Sequence, residues 1–451
     1  VTKPLRRSLD LAGELALLQR QTFGYFVHEA NPANGLVRDN TRYGSSCSIA
    51  AVGLGLACYP VAVQRGYLTR NEAAGRTRTT LRFFARSPQG PEPDATGYRG
   101  FFYHFLDQRT ARRAHGCELS TMDTAVLLAG ALTAAEYFDG NVAQEIEIRD
   151  LAGSLYRAAD WVWALDAGLT VRQGWTPEGG FLPYRWQGYN EALLLYVLAL
   201  GSPTHPLSSE SYDAWTETYE WKKIYGIELL YGGPLFMHQL SHLWIDFRGI
   251  RDSYMEEKGI DYFENSRRAT LVQQHYAERN PRRFRGYSRD IWGITASDGP
   301  GPAVRRIRGR ALRFDGYLAR GVPYGPDDGT LSPWAVIASL PFAPEIVLPT
   351  FASFLRRYPD VKARYGFLCS LNPTFGAGGR IGGSWVSKGY YGLDQGPVVL
   401  MIENFTSGMT WSLMRRCRPL IDGLKRAGFA GGWLETAVAG GLLDRGGKET
   451  S

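Results

Sequence analysis

Cysteine is scarce in this 451-residue chain, and none of its five copies stands close to another. Cys47, Cys58, Cys117, Cys369 and Cys417 are odd in number and irregularly spaced, which disfavours both a disulfide scaffold and a zinc site. Cys47, Cys58 and Cys117 sit among small apolar residues and read as small core side chains. No clean apolar segment reaches the roughly 18 residues of a membrane span, so no membrane insertion is expected. Val1 to Glu14 carries charges but no apolar core, so no secretory signal is read there. A cytoplasmic location is expected, or a periplasmic one where a leader has been removed. Basic residues exceed acidic ones, 51 against 44, but they are spread out, with small clusters only at Arg282-Arg283 and Arg305 to Arg310. Without a basic stripe or a recognition module, nucleic acid is not an expected partner. The chain also has no nucleophile elbow, phosphate-binding glycine loop or dinucleotide fingerprint.

Aromatics, by contrast, make up 13% of the chain, with 12 Trp and 25 Tyr, a richness that suits both a large core and a carbohydrate groove. The patterning is mainly helical. Helices are expected at Leu9 to Glu29, Ser46 to Val63, a segment from Thr69 to Phe84, Ser120 to Phe138, Asn141 to Leu165 and Glu191 to Leu200. More follow at Ser209 to Thr218, Pro234 to Ile245, Tyr262 to Glu278, Pro333 to Leu340, Ala343 to Tyr358, Gln395 to Met414 and Ile421 to Ala427. Small-residue helices alternate with more charged ones, and Gly- and Pro-rich loops separate them. That pattern predicts helical hairpins set in a ring, six pairs around an axis, in one domain over residues 1–451. No fixed-period repeat marks a regular solenoid.

Carboxylates recur at expected helix starts beside Trp or Tyr. Glu191 follows Trp186-Gln187-Gly188-Tyr189-Asn190, with Trp175 and Tyr184 nearby. Such a carboxylate is placed either to protonate a stacked sugar or simply to favour the helix's positive end beside an Asn190 cap. Glu118 and Asp123 flank Ser120 at the next such start, where a capping role for Ser120 and Asp123 is equally open. Asp298 follows Trp292 in a Gly- and Pro-bounded turn, and Asp394 follows Tyr390-Tyr391, leading into Gln395. His238 and His242, four apart, would share a face of a regular helix. Gln239 stands where a metalloprotease has its Glu, so sugar-lining polar groups or a buried network with Asp246 and Arg248 compete with metal binding.

Several motifs carry a family resemblance. Ser241-His242-Leu243-Trp244-Ile245-Asp246-Phe247-Arg248-Gly249-Ile250, Glu264-Asn265-Ser266-Arg267-Arg268, Ala296-Ser297-Asp298-Gly299-Pro300-Gly301 and Leu393-Asp394-Gln395-Gly396-Pro397 resemble the bacterial glucoamylase-like domain family. Glu118 to Leu128, Gly188 to Pro206 and Leu340 to Glu345 add to it, and the likeness runs from about Thr22 to Trp433. Characterised members resemble endo-β-1,2-glucanases of glycoside hydrolase family 144 and the cyclising domain of family 189. The resemblance implies an all-α, (α/α)6 barrel with long loops and short strands at the active-site end, and a glycoside hydrolase of β-1,2-glucan. It places the acid on Glu191 and the second carboxylate on Glu118 or Asp123, with Ser120 standing where the glucanase branch carries an acidic residue. Asp39, Tyr103, His104, Tyr184, Trp186, Tyr189, Phe236, His242, Trp292, Asp298, Asp394 and Gln395 are the candidate glucan contacts. No metal or organic cofactor is implied, and the expected partner is the glucan alone, met by a monomer or weak homo-oligomer. A retaining transglycosylase and a non-catalytic glucan binder are the alternative readings.

Overall fold

The computed structural model describes residues 10–377 and 383–437; residues 1–9 of the stretch read for a leader lie outside it. The first half builds α1 (Leu11–His28), α2 (Ile49–Gln64), α3 (Arg70–Arg86), α4 (Thr121–Tyr137), α5 (Ala143–Ala158), α6 (Leu193–Leu200) and α7 (Ser209–Thr216). The second half adds α8 (Ser253–Lys258), α9 (Tyr262–Arg279), α10 (Pro333–Ala338), α11 (Pro344–Arg357), α12 (Gly392–Thr406), α13 (Met409–Met414), α14 (Arg418–Arg426) and α15 (Gly432–Glu435).

Local chemistry sets many of these boundaries. Thr69 and Glu72 form a capping box at α3, Ser48 caps α2, and Ser120 caps α4 through the Asp123 amide. Gly408, in a left-handed conformation, divides the expected Gln395–Met414 helix into α12 and α13. The expected helix over Pro234–Ile245 is instead two short 3-10 turns, Leu235–His238 and Leu240–Leu243. Pro234 supplies no amide hydrogen at the start, and the Gln239 side chain between the turns donates to Ala335 O and Ser339 Oγ, both at 2.7 Å. With three residues per turn, His238 and His242 do not stack on one face as in an α-helix.

α2 and α6 are buried on nearly every side, and so is most of α4, which is how a helix surrounded by protein reads in sequence. These helices, the 3-10 pair, α10 and α12 pack side by side in chain order, and α12 returns to α2. Outside them, α1 packs on α12, α3 on α2 and α5, α11 on α10, and α14 on α6. The α2–α4 crossing is a glycine contact. A Cβ on Gly130 would run into the Gly53 carbonyl, and one on Gly53 into the Val126 carbonyl. None of the helices among the described residues is long and apolar enough to cross a membrane.

At one end of the inner helices lies an antiparallel sheet of short strands in the order Gly97–Tyr98, Phe101–Tyr103, Leu119–Ser120, Gly174–Thr176, Gly180–Phe181. Its register sets Ser120 opposite both Phe102 and Gly174. His104, Glu118, Gln173 and Leu182 therefore leave the ends of neighbouring strands, beside the first turn of α4.

Candidate active site

The sheet and the helix starts enclose a cavity of about 310 Å³, within the range of small-ligand sites. His104, Glu118, Ser120, Asp123 and Gln173 line the sheet side. Trp186, Glu191, Phe236, Gln239, Leu240, Tyr317, Trp334, Asp394 and Pro397 complete the lining. Of the candidates read from sequence, the cavity gathers Glu118, Asp123, Glu191, His104, Trp186, Phe236 and Asp394.

Glu191 is held by its backbone. Gly188, at φ +70°, turns the chain and donates its amide to Trp215 O at 3.0 Å. Asn190 Oδ1 accepts from the Ala192 amide, and Ser241 Oγ donates to Glu191 O at 3.2 Å. The helix proper begins two residues later, at Leu193. Glu191 Oε2 is buried without a hydrogen-bond partner. Burial, reinforced by the charge of Asp123, raises its pKa to about 7. Glu191 is thus half protonated near neutrality.

Glu118 is in the opposite state. Burial pushes its pKa up, but the hydrogen bond from His104 and the positive charges of His104 and Arg113 outweigh it and leave the carboxyl below its usual range. His104 Nδ1 lies 2.9 Å from Glu118 Oε1, and its Nε2 lies 3.7 Å from Asp123 Oδ2. The Phe105 ring stacks on the imidazole at 3.9 Å between centroids. Ser120 Oγ donates a short hydrogen bond to Asp123 Oδ2. Trp186 presents its ring to the cavity and anchors its indole Nε1 on Thr121 Oγ1 at 3.0 Å.

Asp39 and Asp298 lie outside the cavity lining but within electrostatic reach of Asp394. Asp39 accepts from Asn40 Nδ2 at 2.8 Å, and its charge acts on His104 and Asp394. Asp298 is paired with Arg42 and accepts from Ser387 Oγ at 2.7 Å. Asp394 is buried beside Cys369, and burial raises its pKa well above the usual carboxylate range, with Asp39 and Asp298 adding to the shift.

Other candidates lie elsewhere. Trp292 is fully buried in the core of α10 and α11, so it does not stack on a groove ligand. Tyr189 is buried against Tyr262, with ring centroids 5.7 Å apart, and is likewise a core residue rather than a platform. Tyr103 is buried under the Arg113 guanidinium, and Gln395 is buried with its amide on Phe367 O at 3.3 Å. His242 is enclosed by Phe247 and Phe342 and bonded to Ser266 Oγ at 2.9 Å. Burial lowers its pKa to about 3, as it does for His238, so both rings are neutral parts of the core. Tyr184 is exposed, outside the cavity lining. No group of three or more His, Cys, Asp or Glu side chains fit to hold a metal ion occurs among the described residues.

Tyr317, Trp334, Gln173 and Gln239 line the cavity without having been read from sequence. Gln239, which stands in sequence where a metalloprotease has its Glu, is held by its two donor bonds to Ala335 O and Ser339 Oγ. Trp334 carried the one available signal, a Trp directly after a helix-opening Pro333.

The family model described as "Putative glucoamylase" matches residues 183–418, just over half of the 451. The chain belongs to this family. Among curated proteins, this family member is 27% identical over 437 residues to an exo-β-1,2-glucooligosaccharide sophorohydrolase of Parabacteroides distasonis, covering 88% of this chain. The chain spans 55% of that relative's length. An endo-β-1,2-glucanase of Chitinophaga pinensis, solved with sophorotriose and glucose, superimposes with TM-score 0.82 at 26% identity, over 94% of this chain and 100% of that one. A β-1,2-glucanase of Parabacteroides distasonis gives TM-score 0.81 at 25% identity, over 93% of this family member and 60% of that chain.

Proposed function

We propose that this chain is a glycoside hydrolase of β-1,2-glucan, folded as a single (α/α)6 barrel, with Glu191 as its general acid. The observation that carries the reading is that one cavity is lined by carboxyl groups shifted in opposite directions. Glu191, with its pKa raised to about 7, shares the lining with Glu118, which is held below its usual range. Glycosidic cleavage needs such a pair, one acid to protonate the leaving oxygen and one carboxylate to act on water or on the anomeric carbon. The closed order of inner helices supports the barrel. The substrate comes from the relatives, whose names specify β-1,2-glucan or its sophorose-releasing hydrolysis. Trp186, Phe236 and Trp334 give flat apolar walls for a sugar face, and Asp394 offers a carboxyl group to a sugar hydroxyl.

Incubation with linear β-1,2-gluco-oligosaccharides, with β-1,3- and β-1,4-linked oligomers as controls, tests the reading. New reducing ends are expected from the β-1,2 series alone, and proton NMR of the first products assigns their anomer. Binding without cleavage across the panel would instead identify a glucan-binding protein. Longer or cyclic products from a single pure oligomer would identify a transglycosylase.

A further inference from the structure

His104 stands between the two carboxylates that bracket the start of α4. Its Nδ1 faces Glu118 Oε1 at 2.9 Å, and its Nε2 faces Asp123 Oδ2 at 3.7 Å. An ionised carboxylate only accepts hydrogen bonds, so a ring nitrogen that faces one is well placed only when it carries a proton. Both ring nitrogens meet that condition in the imidazolium and in neither neutral tautomer. The ring's remaining surroundings agree. Phe105 covers one face, and Asp39 adds a third negative charge from the loop before α2.

The two carboxylates are not equivalent. The charge of Asp123 is felt at Glu191. Asp123 Oδ2 accepts from Ser120 Oγ and faces His104. Glu118 is tied to His104 and lies in the field of Arg113.

We infer that His104 is a positioning residue: anchored on Glu118, its imidazolium holds Asp123 oriented as the base that works with Glu191, so that Glu118 is the anchor and Asp123 the base. The inference deepens the glycosidase reading and rests on it for the catalytic role of Asp123. The balance of forces on the ring supports it. Burial lowers the imidazole pKa, but Asp123, Glu118 and Asp39 together outweigh burial and raise it to about 9. The same cavity lining holds Glu191, whose pKa burial raises to about 7.

The test is His104→Asn, which keeps polarity and removes the charge, read on the pH dependence of kcat/KM for a β-1,2-gluco-oligosaccharide. The acidic limb is expected to move up by about one pH unit, so that the loss is largest, up to about tenfold, on the acid side of that limb and shrinks toward neutrality. KM should change little. A loss of equal size at every pH would mark a merely structural role and overturn the inference. A second readout does not depend on turnover. Ring 15N NMR of the full chain, with His104 assigned by difference against the variant, should show both nitrogens protonated at about pH 7.5, and the midpoint should fall by about one unit in Asp123→Asn. A neutral ring at that pH overturns the inference whatever the activity. No cleavage of any glucan by the unmodified chain would overturn the glycosidase reading and the base role with it, while the NMR still decides the His104–Asp123 ion pair.

Discussion

Glu191 and Glu118 are chemically identical side chains shifted in opposite directions, and their difference lies in what stands beside each. Glu191 Oε2 is buried without a partner, whereas Glu118 accepts from His104. Glu191→Gln should fold, bind glucan and lose about 10²–10⁴-fold in kcat, the range for a lost general acid. In the unmodified chain the basic limb of kcat/KM should fall near pH 7, because activity is lost as Glu191, with its pKa of about 7, gives up its proton. Near-normal turnover in the Gln variant would move the acid role to Asp394. The tryptophans divide in the same way. Trp186→Ala should weaken glucan binding by about 0.5–1.5 kcal/mol, the scale of an aromatic contact, and leave thermal stability nearly unchanged. Trp292→Ala should instead destabilise the fold by about 3–5 kcal/mol, as for a large core side chain, and calorimetry separates the two effects. This division was not legible in sequence. Both tryptophans precede polar loop residues, and only the packing of α10 and α11 decides that Trp292 lies inside. The carboxylates were legible because a helix start with a cap such as Ser120 fixes where the next residues stand.

The inner helices are set by how closely their backbones approach, and the tightest approach is that of α2 and α4. Adding a methyl to an exposed helical glycine normally gains up to about 1 kcal/mol of helix propensity. At Gly130 the sign should reverse, because the added carbon meets the Gly53 carbonyl, which is backbone and cannot rotate away. Gly130→Ala should therefore cost about 1–3 kcal/mol, as overpacking does, lowering the melting temperature in a thermal scan. Because α4 carries Asp123 at its first turn, kcat should fall with it. An unchanged melting temperature would mean that the two helices slide apart without cost. The helices around this crossing were readable from their caps and small residues. The Pro234–Ile245 segment was not, because what breaks it is the long-range anchoring of Gln239 on Ala335 and Ser339. Likewise α8, six residues with an Asp252 cap, is too short to register as a periodic pattern.

At the scale of the whole molecule, the cavity draws residues from His104 to Pro397, so no contiguous segment contains it. The closure of the inner helices on themselves could be inferred from their number and composition, but not the order of contacts, since no repeat period runs through the sequence. The same spread of buried titratable groups governs stability. Glu136 and Glu191 are both raised by burial to about 7. A raised carboxyl contributes stability that is full below its unfolded pKa, near 4.5, and lost as pH climbs through the folded value. His238 and His242 are lowered to about 3, so their contribution is full above about 6.5 and is lost as pH falls. Between about pH 4.5 and 6.5 the two pairs oppose each other, one slope of about 1.4 kcal/mol per pH unit against the other for each group. Asp39, Asp252, Asp327 and Asp394, all raised, tilt the balance toward the acid side. His104, raised to about 9, adds a further loss as pH rises from about 6.5. Stability should therefore be greatest on the acid side of neutrality and lower at about pH 8. Glu136 isolates one member of the balance, because it lies in the last turns of α4, about 20 Å along the helix from Asp123, and touches no cavity residue. Between about pH 4.5 and 8, Glu136→Gln should gain about 2–3 kcal/mol relative to the unmodified chain, or about 2–3 °C in melting temperature for a protein of this length. Parallel melting curves for the two proteins across that range would show that Glu136 is ionised in the folded state and that burial does not hold its proton.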